Sequence, residues 1–122
     1  MKILLFHINI FKQSSIIQLC RDLGYDVYTG REEDLTKTIG QIAGLFRSPA
    51  KQGNAVPFTD EMMVFCGVKP GELDRFLEEY RNRAIQPVPL KAVMTQYNAQ
   101  WTPGRLCMEL QKEQDYIQPK RN

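Results

Sequence analysis

Two short stretches of the chain, residues 2–8 and 62–66, are almost unbroken apolar sequence. A strand carries apolar residues at every position only when both of its faces are covered. Each run is followed by apolar residues at helical spacing: Ile16, Leu19, Cys20 and Leu23 after the first, Leu73, Phe76, Leu77 and Tyr80 after the second. These two runs are expected to be the central strands of a sheet with helices on both faces.

The remaining elements fit that frame. Gly24 is a natural stop for the first helix, and Tyr25-Asp26-Val27-Tyr28 alternates as an edge strand does. Leu35, Ile39, Ile42, Ala43 and Phe46 predict a second amphipathic helix that carries Gly40 and Gly44. Residues 48–59 lack periodicity and read as an exposed, mobile loop. Pro70 suits a first helical turn. Leu90 to Met94 forms a fourth strand, less buried because of Lys91. Thr102-Pro103 reads as an N-cap and first-turn proline, with Leu106, Cys107, Leu110 and Ile117 lining the last helix. The tail after Pro119 is polar and expected to fray.

Strand and helix thus alternate four times, as in a mostly parallel sheet. The expected fold is one α/β domain over residues 1–122, strand order 2-1-3-4, with right-handed crossovers. The alternative is a ferredoxin-like α+β sheet, order 4-1-3-2, with extra helices. Residues 2–46 and 62–117 repeat the same element order with little identity between them.

Composition limits the function classes. A net charge of +2, from 16 basic and 14 acidic residues, gives no electrostatic case for nucleic acid or an anionic membrane. No stretch approaches the ~20 apolar residues of a membrane span. The opening apolar run is too short for a signal peptide and lacks a small-residue cleavage site. Three widely spaced cysteines without a Cys-x-x-Cys suit a reducing, cytoplasmic compartment.

Motifs for chemistry are sparse. The first strand-to-helix turn, Ile8 to Gln13, holds no glycine, so neither a dinucleotide fingerprint nor a P-loop is present. Gly67-Val68-Lys69-Pro70-Gly71 follows the third strand, and Lys69 with the next helix start is a candidate anion site. His7, the single histidine, lies at the end of the first strand and cannot build a metal site alone. Cys66 ends the third strand; in a parallel sheet it would approach His7 as a nucleophile–base pair. Thr95 to Trp101 is the most distinctive loop: it can bind by stacking and amide bonds, or Asn98 can close a turn and Trp101 pack under the last helix. Cys20 and Cys107 read as packing residues. Ile10 and Phe11, if exposed in their loop, form a partner-binding patch.

Pro57-Phe58, the run Glu61 to Gly67, Leu73 to Leu77, Leu90 to Thr95, and then Asn98 and Trp101 together resemble a bacterial domain of unknown function, number thirty-seven eighty-three in its series. The similarity is strongest over residues 57–101. It implies a bacterial, cytoplasmic protein and supplies no activity, cofactor, partner or catalytic residue. Many members of that family carry a histidine near the end of the last helix; Glu113-Gln114-Asp115 here lacks it.

The sequence therefore reads as a binding or regulatory domain without cofactor or metal. Its site is expected at the C-terminal edge of the sheet, where parallel strands would gather His7, Asn9, Cys66, Thr95, Asn98 and Trp101 around a small molecule or protein partner. The alternatives are a small thiol enzyme using Cys66 and His7, and a homodimeric module using Ile10 and Phe11.

Overall fold

The structure is a computed structural model and describes residues 1–45 and 55–117. Strand β1 (Lys2–Phe6) leads through helix α1 (Ile10–Leu23) into β2 (Asp26–Thr29). A 3-10 turn (Glu32–Thr36) and the short helix α2 (Ile39–Ala43) follow. The second half runs β3 (Met62–Cys66), α3 (Glu72–Asn82), β4 (Leu90–Val93), a 3-10 turn (Asn98–Gln100) and α4 (Pro103–Ile117).

The strand order is β2-β1-β3-β4, with the two apolar runs as the central strands. β1–β2 and β3–β4 are parallel, and the central β1–β3 pair is antiparallel. The sheet is thus mostly parallel, with its one antiparallel ladder in the middle.

That ladder corrects the picture of four strands pointing one way: between β2 and β3 the chain passes along the sheet through α2 and comes back before β3 begins. The spacing of Leu35 to Phe46 predicted one helix of three turns. The chain instead forms a 3-10 turn, then a capped helix of five residues. Gly44 ends α2 in the left-handed region (φ 70°) rather than lying within a helix. α2 ends near the Lys2–Cys66 end of the sheet, where Lys2 Nζ donates to the Ala43 carbonyl at 3.1 Å. By Phe58, which packs on Phe6 and His7, the chain is back at the end where β2 left, and β3 enters there. Phe46, most of the 48–59 loop and the tail from Pro119 lie outside the described residues.

Helices cover both faces, which is why β1 and β3 tolerate no polar alternation. On one face Ile3, Leu5, Met63 and Phe65 pack with Ile16, Leu19 and Cys20 of α1 and with Phe76 and Tyr80 of α3. Phe65 and Phe76 meet edge-to-face at 5.5 Å, a favoured aromatic geometry. On the other face Leu4, Phe6, Met62, Val64 and Cys66 pack with Ile39 and Ile42 of α2 and Leu106 and Cys107 of α4. The N-terminus of α4 packs closely: a Cβ on Gly104 would fall 1.8 Å from the Val56 carbonyl oxygen.

Helix ends obey local chemistry. Asn9 caps α1, its Oδ1 accepting from Phe11 N, and Gly24 closes it at φ 77°. Thr102 precedes Pro103 as expected and accepts from Arg105 N through Oγ1 at 3.4 Å. Pro70 falls before its helix: Gly71 is the N-cap of α3 and Glu72 the first helical residue.

Candidate functional site

β1 ends at Phe6, and the chain reverses at His7, a non-glycine residue at φ 56°. The exposed His7 ring packs against Phe58 at 4.5 Å between centroids, which holds this turn. Ile8 tucks into the core at 8% exposure. Asn9 then caps α1 and places Ile10 and Phe11 on its first turn.

Those two side chains face away from the core. At 100° per residue, Ile10 and Phe11 lie about 120° and 140° around the helix from the buried Ile16. They are 73% and 82% exposed, the two most exposed large apolar side chains among the described residues. Phe11 borders a cleft of ≈ 710 Å³ whose walls include Asn9, Lys12, Glu61, Arg83 and Gln86.

The charges of the cleft are already matched. Lys12 pairs with Glu61 and also donates to the Pro87 carbonyl at 2.9 Å. The other Glu61 oxygen accepts from Asn9 N at 2.7 Å. Burial alone would raise the Glu61 carboxyl; the Asn9 N–H and Lys12 outweigh it and hold it below the usual glutamate range. Arg83 is paired with Asp22 at 2.9 Å and Glu79 at 3.1 Å. Such a cleft can receive an apolar group within a satisfied polar rim. No free nucleophile–base pair lines it.

The residues expected at one sheet edge divide between its two ends. Phe6, beside His7 and Asn9, pairs with Met62; Lys2, at the far end of β1, pairs with Cys66. Cys66 and His7 are therefore separated by the length of the strand, about 16 Å. Because β4 runs with β3, Thr95, Asn98 and Trp101 stand at the Cys66 end. The shared pocket expected from four parallel strands does not form.

Each of these residues has a local role. Cys66 is fully buried, and desolvation pushes its thiol up to about 11 despite nearby Lys2. Cys20 and Cys107 are buried too, and burial raises both to about 11. Thiols of that kind are poor nucleophiles. Asn98 closes the turn after β4: its Oδ1 accepts from Thr95 N at 2.7 Å and its Nδ2 donates to Val93 O at 3.0 Å. Thr95 Oγ1 accepts from Asn98 N. Trp101 packs against the core, its carbonyl accepts from Ile39 N, and Arg105 lies 4.7 Å over its ring. Near Lys69, the backbone N–H donates to the Glu72 carboxylate at 2.7 Å, so a side chain of the protein occupies the place read as an anion site. Among the described residues, no group of three His, Cys, Asp or Glu side chains is placed to hold a metal. No helix among them is long and apolar enough to cross a membrane.

Sequence reading missed Lys12 and Glu61, which lie far apart in the chain and meet only through the antiparallel ladder. The signal for Ile10 and Phe11 was present: both fall off the apolar stripe of α1.

With the geometry in place, comparison with known proteins adds one result. Residues 61–117 match the family model for DUF3783, a domain of unknown function. The matched segment runs from Glu61 to the end of α4 and so coincides with the second strand-helix-strand-helix unit. No curated protein matches the chain, and no solved structure matches it.

Proposed function

We propose that the chain is a protein-binding domain that docks through Ile10, Phe11 and the cleft beside them. The observation that carries this reading is the placement of two large apolar side chains side by side on a helical first turn, 73% and 82% exposed. An exposed aromatic anchor beside a concavity is the usual form of an interaction hot spot. Burying each side chain in a partner is worth about 1.5–3 kcal/mol. The paired charges around the cleft support the same reading, because a partner covering it strands no ion. Free, buried thiols favour a reducing compartment, and the family resemblance favours a bacterial cytoplasm.

A photoreactive benzoylphenylalanine at position 11, irradiated in living cells, tests the proposal. The expected result is a discrete adduct from position 11, absent from the same probe at exposed Arg75 and lost in Ile10→Ser. An adduct of twice the chain mass would identify the partner as a second copy. Equal labelling from positions 11 and 75 would overturn the proposal.

A further inference from the structure

A second concavity lies on the α1/α3 face of the sheet and is independent of the Ile10–Phe11 surface. That face is apolar along β1 and β3, but β4 places a lysine on it. Leu90 and Ala92 join the core of the opposite face, so alternation turns Lys91 to the α1/α3 side. Lys91 stands in register with Met63, whose own side chain is buried in that core. A groove of ≈ 450 Å³ opens here. Its apolar wall includes Met63, Leu77, Tyr80 and Val88, and Arg81 and Lys91 stand at its margin. The Tyr80 hydroxyl is turned away into a hydrogen bond with the Gln86 carbonyl.

The two cations differ from those of the larger cleft. Lys12 and Arg83 are each ion-paired. Among the described residues, neither Arg81 nor Lys91 enters an ion pair. Among the described residues, Lys91 Nζ donates to the Val88 carbonyl alone, at 3.3 Å, and that bond leaves its positive charge uncompensated. An apolar wall with two uncompensated cations at its edge is complementary to a molecule with an apolar body and an anionic head. The volume lies within the ~300–1,000 Å³ of small-molecule sites.

We propose that this groove binds a free medium-chain acyl carboxylate, with the chain along Met63, Leu77 and Val88 and the carboxylate between Arg81 and Lys91. A lysine turned inward on an edge strand can also serve only to block pairing with another sheet, and the test separates these roles. The full chain, labelled with nitrogen-15, is titrated with decanoate and with decanol below their aggregation limits. The expected result is saturable shifts at the Leu77, Ile85 and Lys91 amides, with decanoate bound about tenfold more tightly than decanol. In Arg81→Gln/Lys91→Gln, which alters two exposed side chains, decanoate should fall to the decanol level. Phe11→Ser should leave both affinities unchanged, so the outcome does not depend on the protein-docking surface. Equal affinities that the double variant does not alter would overturn the proposal and leave Lys91 as an edge guard only. Shifts centred outside the groove would also overturn it.

Discussion

The two halves of the molecule share a backbone plan and differ in the side chains that maintain it. The central ladder centres on Leu4 opposite Val64, so a half-turn about the sheet normal exchanges β1 with β3 and β2 with β4. His7 at φ 56° corresponds to Gly67 at φ 63°, and Gly24 at φ 77° to Ala84 at φ 53°. After each outer strand, a side chain accepts from the backbone N–H three residues earlier: Asp34 from Arg31 at 2.8 Å, Asn98 from Thr95 at 2.7 Å. Thr38 and Thr102 then cap the following helices. The same hydrogen bonds recur with almost no residue identity, because turn and cap geometry constrain the backbone more than the side chain.

The differences are where surface features arise. In the first half only Tyr25 separates Gly24 from β2. In the second, Ile85 and residues 86–89 intervene between Ala84 and β4. That longer connection borders both the cleft beside Phe11 and the groove beside Lys91, and Ile85 lines each. A nearly symmetric frame thus acquires both of these concavities beside one asymmetric connection.

Truncation at matched core positions gives the largest test of the shared plan. Phe76→Ala should cost about 4 kcal/mol and Ile16→Ala about 3 kcal/mol, measured by urea denaturation. Both side chains are fully buried under the same sheet face. A loss below 1 kcal/mol for either would mean that its crossover helix does not share in the core.

The Asp34/Asn98 pair gives a smaller, pH-dependent effect. Asp34 is 1% exposed and accepts from Tyr28 Oη at 2.6 Å, from Arg31 N and from Lys37 Nζ at 3.0 Å. Burial alone would raise its carboxyl, but these donors hold it below the usual aspartate range. A depressed folded pKa contributes stability that is present above the unfolded value of about 3.9 and lost as pH falls through the lower folded value. Asp34→Asn should therefore cost about 2 kcal/mol near pH 7, and the deficit should shrink toward pH 3. Asn98, an amide, has no such dependence. A deficit equal at both pH values would show that the Asp34 charge is not what holds its turn.

The helix C-caps give the smallest effect, with opposite signs. Gly24→Ala should lose about 1 kcal/mol, since the space is open but φ is 77°. Ala84→Gly should gain about 0.5 kcal/mol, relief of the positive φ outweighing the added unfolded-state entropy. Matching signs in thermal melts would break the correspondence of the two caps.

Much of this fold was legible residue by residue. The unbroken runs at β1 and β3 announced central strands, Gly24 announced a helix end, and Thr102-Pro103 announced the start of α4. Asn98 was legible as a turn residue. The direction of β3 was not legible, because it depends on whether the chain between β2 and β3 passes along the sheet once or returns, and Leu35 to Phe46 has the period of one helix that would pass along it once. The pairing of Lys12 with Glu61 was hidden for the same reason, and Ile10 and Phe11 became a surface only once α1 had a buried side.

Local sequence determined which segments become strands and helices, where they cap and which faces they bury, because those choices rest on hydrogen bonds and apolar spacing within a few residues. Only the tertiary structure decided that His7 and Cys66 lie at opposite ends, that Glu61 meets Lys12, and that Lys91 stands uncompensated beside an apolar groove. Those relations join residues distant in the chain, and the reversal between the two halves sets them.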